Sequence, residues 1–402
     1  MRTTGSENVW RGHFPRFFLG RVVDLAGSSM TSVAIGLSVL QTTDSPRSMG
    51  LVLAANVFPT LVFMLVGGVI ADRWERGRIL VVTCLLSAVT QGAMAAILFS
   101  GRFNLGLMSA CAALSGMIGA FNGPALRGIV PDLVASEQVH QANALLATAR
   151  NATRIIGPAL AGALVASIGG GWALTIDAIS FLLAALCFWG LPTVSRAKNP
   201  AGIGRSLIEG WSTFCSMRWV WTLSIAYAVI NLLYVGPWQV LGPDVLRQRH
   251  GIGIWGVILS VRAVAQLVAS VLLVRISFRN PLLVGLLLGT AVGFPLIALG
   301  VTDSLVVVIP MVIMSAVGLT VSGITYETTL QTHVSRDKLS RVAAYDDLFV
   351  FLSVPISQIA VGWVGTVFDI HTVLLASGIG LVILHILPAI SREVRTISRV
   401  DK

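Results

Sequence analysis

Nine ionisable side chains interrupt stretches that are otherwise apolar: Arg21, Asp24, Arg150, Arg154, Asp177, Arg262, Glu327, Asp346 and Asp347. At the centre of a membrane-spanning helix each Asp, Lys or Arg costs about 2.5–3.5 kcal/mol. Charges kept there serve proton, ion or substrate pathways, or pair with one another to join helices. Asp24 is the best placed for acid–base work, ten residues into a stretch that begins at Phe14. Arg21, three residues earlier, shares its helical face. Two uses are open: a proton-coupling or substrate-cation site at Asp24, or an ion pair internal to the helices. Arg150 and Arg154 stand one turn apart and share a face that should avoid lipid. Asp24 or an anionic substrate would suit them, and they could equally face Arg262. Asp177 lies near the outer third of its span. Glu327, Asp346 and Asp347 fall near helix ends, the last two in the first turns of a helix where acids suit the dipole.

A second pattern suits binding. Tyr227, Asn231, Tyr234 and Trp238 recur at increments of 4, 3 and 4 and form one stripe on a helix. Aromatic faces with polar tips fit a bulky amphipathic ligand. Helix packing and an interfacial aromatic belt use the same residue types.

The elements that must position these residues are membrane spans. Of 402 residues 55% are hydrophobic and 11% charged, and the mean hydropathy is +0.84. A soluble globule carries about 25% charged residues. Apolar runs of spanning length lie near 14–41, 48–71, 79–100, 103–126, 141–168 and 171–191, then near 218–243, 252–274, 281–301, 304–330, 341–364 and 369–390. They predict an all-α integral membrane protein: a six-helix bundle over 1–191, a cytoplasmic linker over 192–217 containing Pro192, Pro200, Gly202 and Gly204, and a second six-helix bundle over 218–402 with a short cytoplasmic tail. Transmembrane strands need short alternating segments and are excluded. With the N-terminus inside, twenty Lys and Arg fall in inner segments and four, Arg47, Arg102, Arg247 and Arg249, in outer loops. The positive-inside rule then places both termini in the cytoplasm. Topology, rather than nucleic acid, accounts for the net charge of +10. Val134-Ala-Ser-Glu137-Gln-Val139 and Val334-Ser-Arg-Asp337-Lys-Leu339 lie 200 residues apart, each ahead of a span, and support duplication of the two bundles. Cys84, Cys111, Cys187 and Cys215 are widely separated and indicate neither a disulfide framework nor a metal site. Phosphate-loop and zinc-helix motifs are missing from the sequence, so no cofactor and no enzymatic chemistry is expected.

Between spans 2 and 3, Gly68-Val-Ile-Ala-Asp72-Arg73-Trp-Glu75-Arg76-Gly77-Arg78 resembles the signature loop of the major facilitator superfamily. Pro131-Asp-Leu-Val134 with Gln141-Ala-Asn143, and Gly157-Pro158-x-x-x-Gly162 leading to Asp177-Ala-Ile-Ser180-Phe181, are similar to the branch containing enterobactin exporters and macrolide-efflux proteins. The resemblance implies that Asp72 caps span 11 near Arg341 to Asp346 and gates the two halves with Arg73, Arg76, Arg78 and Asp346. A carboxylate at a helix N-terminus contributes about 0.3–1 kcal/mol. The loop departs from the family pattern at Glu75 and Gly77. Ala112 stands where drug exporters of the family carry an arginine, so a proton relay through span 4 does not transfer. Gly157, Pro158 and Gly162 resemble the antiporters' motif, and physically they allow a kink and close helix approach. The resemblance also implies that spans 1, 4, 7 and 10 line a cavity and that span 6 is peripheral, which makes Asp177 a structural residue. It adds Ser28, Ser32, Asn122, Thr325 and Tyr326 to the candidate substrate contacts.

These readings imply a multi-pass transporter of the cell (inner) membrane that exports a bulky, partly apolar drug, secondary metabolite or siderophore by alternating access in exchange for protons. An importer of the same fold and a non-transporting receptor or scaffold are the alternatives. The implied partners are a small-molecule substrate, protons and the bilayer. Substrate identity and oligomeric state are not written in the sequence.

Overall fold

A computed structural model of the chain describes residues 9–10, 12–71, 75–135, 138–191, 211–212, 214–251, 253–273, 276, 278, 280–334 and 336–390. Among these, twelve helices are long and apolar enough to cross a membrane. They are α1 (Phe14–Thr43), α2 (Pro46–Ala71), α3 (Arg76–Phe99), α4 (Leu105–Leu133), α5 (Val139–Ile168) and α6 (Gly170–Phe188). There follow α7 (Arg218–His250), α8 (Gly253–Leu273), α9 (Pro281–Val301), α10 (Leu305–His333), α11 (Arg336–Val367) and α12 (Ile370–Ile390). About 20 residues of helix cross roughly 30 Å of hydrocarbon, and a helix satisfies its own backbone where no water can. Leu182, Leu183 and Leu186 of α6 and Val264, Val268 and Val271 of α8 are exposed, an apolar exterior suited to lipid.

Three helices outrun their apolar stretches, among them α4, which runs to Leu133 instead of ending near 126. α7 continues to His250 instead of ending near 243, and α11 begins at Arg336 instead of near 341. Continuing a helix past the hydrocarbon keeps its carbonyls and amides paired, while long basic side chains reach water. Asp346 therefore lies ten residues into α11, not in its first turn, and is 7% exposed.

α7 also contains a π turn over Pro237–Leu241. Pro237 supplies no N–H to the helix ladder, and single π turns relieve such defects. Ser357 of α11 ties the site down: its hydroxyl accepts from Gly236 N at 2.7 Å and donates to Leu232 O at 2.6 Å. Glycine is required at 236, since a Cβ there would lie 2.3 Å from the Ser357 carbonyl oxygen. Elsewhere, Asn104 caps α4 by accepting from Leu107 N at 2.9 Å. Asp369 does the same for α12 through Thr372 N at 2.9 Å. That backbone hydrogen bond holds the Asp369 carboxyl below its usual value. Its stabilising effect is present at neutral pH and is lost in acid, as the pH falls through the lowered value.

The chain forms two compact units, one of residues 1–38 and 55–198, the other of residues 39–54 and 199–402. In the first, α1 and α6 run antiparallel in fixed register. Gly20 meets Cys187 and Phe188, Gly27 meets Asp177 and Ser180, and Gly170 meets Ser38. Gly157 of α5 sits against Ser29 of α1. Phe14, Phe17, Leu80, Ile129 and Phe188 close one end as an apolar cluster. α2 and α4 are clamped by Asn56 Nδ2 donating to Ala112 O at 3.0 Å and Thr60 Oγ1 donating to Gly116 O at 2.8 Å. In the second unit, Gly285 of α9 meets Thr325 of α10, and Gly293 of α9 meets Gly378 of α12. The α1–α2 turn belongs to this unit. There Asp44 pairs with Arg247, which also holds Asp244 at 2.7 Å, and Arg47 lies 3.6 Å over the Trp363 ring.

A Cβ at Gly116 would stand 1.7 Å from the Asn56 carbonyl oxygen, whereas Gly119 has nothing within 4 Å. Gly116→Val is expected to lower stability by about 1–3 kcal/mol or more, while Gly119→Ala stays within about 0.5 kcal/mol of the parent. Thermal unfolding of the purified protein in detergent checks the pair.

Candidate functional site

Each unit holds its own polar interior. In the first, Asp24 is 2% exposed and pairs through Oδ2 with Arg21 on the same helix, while its Oδ1 has no partner. The i, i+3 spacing makes this pairing local. It leaves no carboxylate for Arg150 and Arg154, whose side chains are exposed on α5 without an acidic partner among the described residues. Of the partners open to α5, Asp24 is taken by Arg21 within α1. Ser28 and Ser32 of α1 are also exposed. Asn122 is held in the unit by Thr83, whose hydroxyl donates to Asn122 Oδ1. Asp177 of α6 accepts the Thr31 hydroxyl at 2.7 Å.

Gly68 lies in α2, whereas Asp72 and Arg73 of the signature loop lie outside the described residues. Arg76 and Arg78 open α3, and Arg78 Nε pairs with Glu75 Oε2 at 2.7 Å. Gly157, Pro158 and Gly162 all fall within the unbroken helix α5, with Gly157 and Gly162 buried.

The second unit gathers the aromatic stripe. The phenol of Tyr227 is 3.1 Å from Ser322 Oγ, and its ring lies 4.9 Å from that of Tyr326. Tyr326 OH donates to Asp346 Oδ1 at 2.8 Å, and Ser224 Oγ donates to the same oxygen at 2.5 Å. Asn231 Nδ2 donates to Val350 O at 3.5 Å. One turn further, Tyr234 and Trp238 stack with ring centroids 6.1 Å apart. The Arg262 guanidinium lies 5.7 and 5.2 Å from those two rings. Trp238 also packs on Trp255, at 4.8 Å.

The wall is therefore built from α7, α8, α10 and α11, with one carboxylate, one guanidinium, three phenol tips and one indole tip. Such a surface can hold an aromatic or amphipathic molecule and offer it one charge of either sign. Thr325 is buried against Gly285 and donates to Val321 O at 2.8 Å within its own helix. Ser224 and Ser322 complete the network without having been singled out from the sequence. Ser224 stands three residues before Tyr227, in phase with the stripe, and extending the stripe backwards by one step finds it. No group of three or more His, Cys, Asp or Glu that could hold a metal ion occurs among the described residues.

Comparison with known proteins gives the framework. The family model of the Major Facilitator Superfamily matches residues 17–357. The multidrug efflux pump Tap of Mycobacterium tuberculosis is 25% identical over 393 residues, covering 94% of this chain and 92% of that protein. The enterobactin exporter EntS of Citrobacter koseri is 24% identical over 198 residues, covering 46% of this chain and 45% of that protein. Among solved structures, the nucleoside transporter NupG superposes with a TM-score of 0.72 at 13% identity, over 94% of this chain and 98% of that one. A bacterial homologue of the iron transporter ferroportin in an inward-facing state gives 0.71 at 17% identity, over 94% and 99%. A match over most of the length, with twelve helices of spanning length in the structure, places the chain in the Major Facilitator Superfamily of transporters.

Proposed function

We propose that this transporter exports a bulky, partly apolar small molecule by alternating access between its two bundles, in exchange for protons, in a cell membrane with both chain termini cytoplasmic. The observation that carries the substrate side is the wall of Tyr227, Asn231, Tyr234, Trp238 and Tyr326 around Asp346 and Arg262. The similarity to Tap and EntS, an efflux pump and an exporter by name, supports the outward direction. The proton side rests on Asp24, a carboxylate with one oxygen committed to Arg21 and the other unpartnered. Protonation would free Arg21 from Asp24, and a cationic substrate would compete with the proton for that carboxylate. Gradient energy then enters as competition at one site. The gating role of Asp72, Arg73, Arg76, Arg78 and Asp346 belongs to the same proposal, as does the division of the chain at the 192–217 linker.

Cells expressing the chain are expected to accumulate less of some members of a panel of labelled amphipathic compounds, and a protonophore should abolish the difference. Higher accumulation would indicate import. Tyr227→Ala is expected to raise KM for an exported compound about tenfold, equivalent to ~1.4 kcal/mol of binding, with little change in the amount of protein in the membrane.

Asp24→Asn should abolish protonophore-sensitive export. It also strands a partly buried guanidinium, at a cost of about 3–5 kcal/mol, so its effect on transport alone is ambiguous. The double variant Arg21→Met with Asp24→Asn removes both charges and should fold closer to the parent. Gradient-driven export by that folded double variant would remove Asp24 from the coupling step.

A further inference from the structure

Asp177 is 1% exposed on α6. Its Oδ2 accepts the Thr31 hydroxyl at 2.7 Å, and the same hydroxyl lies 3.2 Å from the Gly27 carbonyl of its own helix. Its Oδ1 meets no hydrogen-bond geometry and abuts Gly27, where a Cβ would stand 2.5 Å from it, and the Ser180 hydroxyl at the same contact donates to the Asp177 carbonyl at 2.7 Å. Gly27 is one turn along α1 from Asp24, whose Oδ1 is likewise unpartnered. A third unmatched group comes from α3: Gln91 is 0% exposed, and neither its amide oxygen nor its amide nitrogen is hydrogen bonded. Helix register brings it to the same level. Phe99 packs against Gly171 and Trp172 near one end of the α3–α6 pair, and Leu80 clusters with Phe188 near the other. Antiparallel helices so registered set Gln91 at about the level of Ala178, the residue after Asp177.

The charges facing this interior can be balanced. α1 contributes Arg21 and Asp24, which pair with each other. α3 contributes the buried thiol of Cys84, and α5 keeps Arg150 and Arg154 on the exposed surface. No described cation is left for Asp177. An ionised carboxylate removed from water and without a counter-charge is among the costliest groups a fold can hold, and such a group neutralises.

We propose that Asp177 holds a proton in the resting protein and forms, with Asp24, a two-carboxylate proton store inside the first unit. The hydrogen bonds balance in both states. In the acid form, Asp177 donates from Oδ2 to Thr31 Oγ1, and the Thr31 hydrogen turns to the Gly27 carbonyl. When the proton leaves, the Thr31 hydroxyl turns back and donates to the carboxylate. Gly27 lets α1 approach until Asp177 Oδ1 and the Ser180 hydroxyl lie against its backbone, and the buried amide of Gln91 is a neutral polar group at the same level. The site stands on its own geometry. Its part in transport rests on the proton-exchange reading given above.

Infrared difference spectroscopy on the purified full-length protein in liposomes tests the site without substrate or flux, so failure of export leaves this result standing. The wild type should show, at neutral pH, the carbonyl band of a protonated carboxylic acid that shifts in D2O. Asp177→Asn, which matches the neutral acid in shape, should lose that band and keep the parent's thermal stability. Thr31→Val, which removes the acceptor of the acid proton, should keep the band and shift its frequency. The Thr31 variant keeps the test decisive should the Asp177 variant fold poorly. A wild type without the band, or a band unchanged in both variants, overturns the proposal. Loss of the band when sodium replaces potassium would make this a sodium site and overturn the proton assignment.

Discussion

The cost of leaving a charge or a hydrogen-bonding group unmatched in hydrocarbon governs this structure at every scale. It forces the backbone into helices, which satisfy themselves, and it then decides what each polar side chain does. Arg21 answers Asp24 from one turn away on the same helix, and Thr31 answers Asp177 across to α6. In the second unit Ser224 and Tyr326 both donate to one oxygen of Asp346. These three carboxylates are treated differently by the fold. One has a full counter-charge, one has two hydroxyl donors, and one has the Thr31 hydroxyl with that of Ser180 beside it. A site that exchanges a proton must be tolerable with and without it, and the three carboxylates differ in how far they meet that condition.

Glycine sets which side chains can meet. Without the contacts of Gly20, Gly27 and Gly170, α1 and α6 would stand further apart, and Thr31 would not reach Asp177. Hydrocarbon gives no hydrophobic force between helices, so close backbone approach and the dispersion it allows hold the pairs together. The polar chemistry is consequently downstream of small residues that carry no chemistry themselves.

Much of this was legible in the sequence. The twelve apolar runs became twelve helices because length and hydropathy are sufficient conditions in a bilayer. The ends of α7 and α11 were not legible, since polar segments such as Arg336-Asp337-Lys338 continue a helix as readily as they leave it. The stripe from Tyr227 to Trp238 followed from spacing alone. The Arg21–Asp24 pair did too, because both partners lie on one helix. Partners chosen between helices could not be read. Thr31 with Asp177, or Ser224 with Asp346, depends on interhelical register, and register is set by contacts at glycines many residues away.

The π turn in α7 gives that helix a property hydropathy cannot register. An added residue in a helical turn advances everything beyond it by about 100°. Tyr234 and Trp238 are aimed at Arg262, while Arg247, just past the turn and held by Asp244, is aimed at Asp44. Chain length between Gly236 and Gly242 therefore acts as a gear setting between the aromatic wall and the α1–α2 turn. A one-residue deletion there would leave an apolar span of adequate length, yet it would swing the ion pair off its partner. Substitutions in this segment are constrained by size, but insertions and deletions are constrained by rotation.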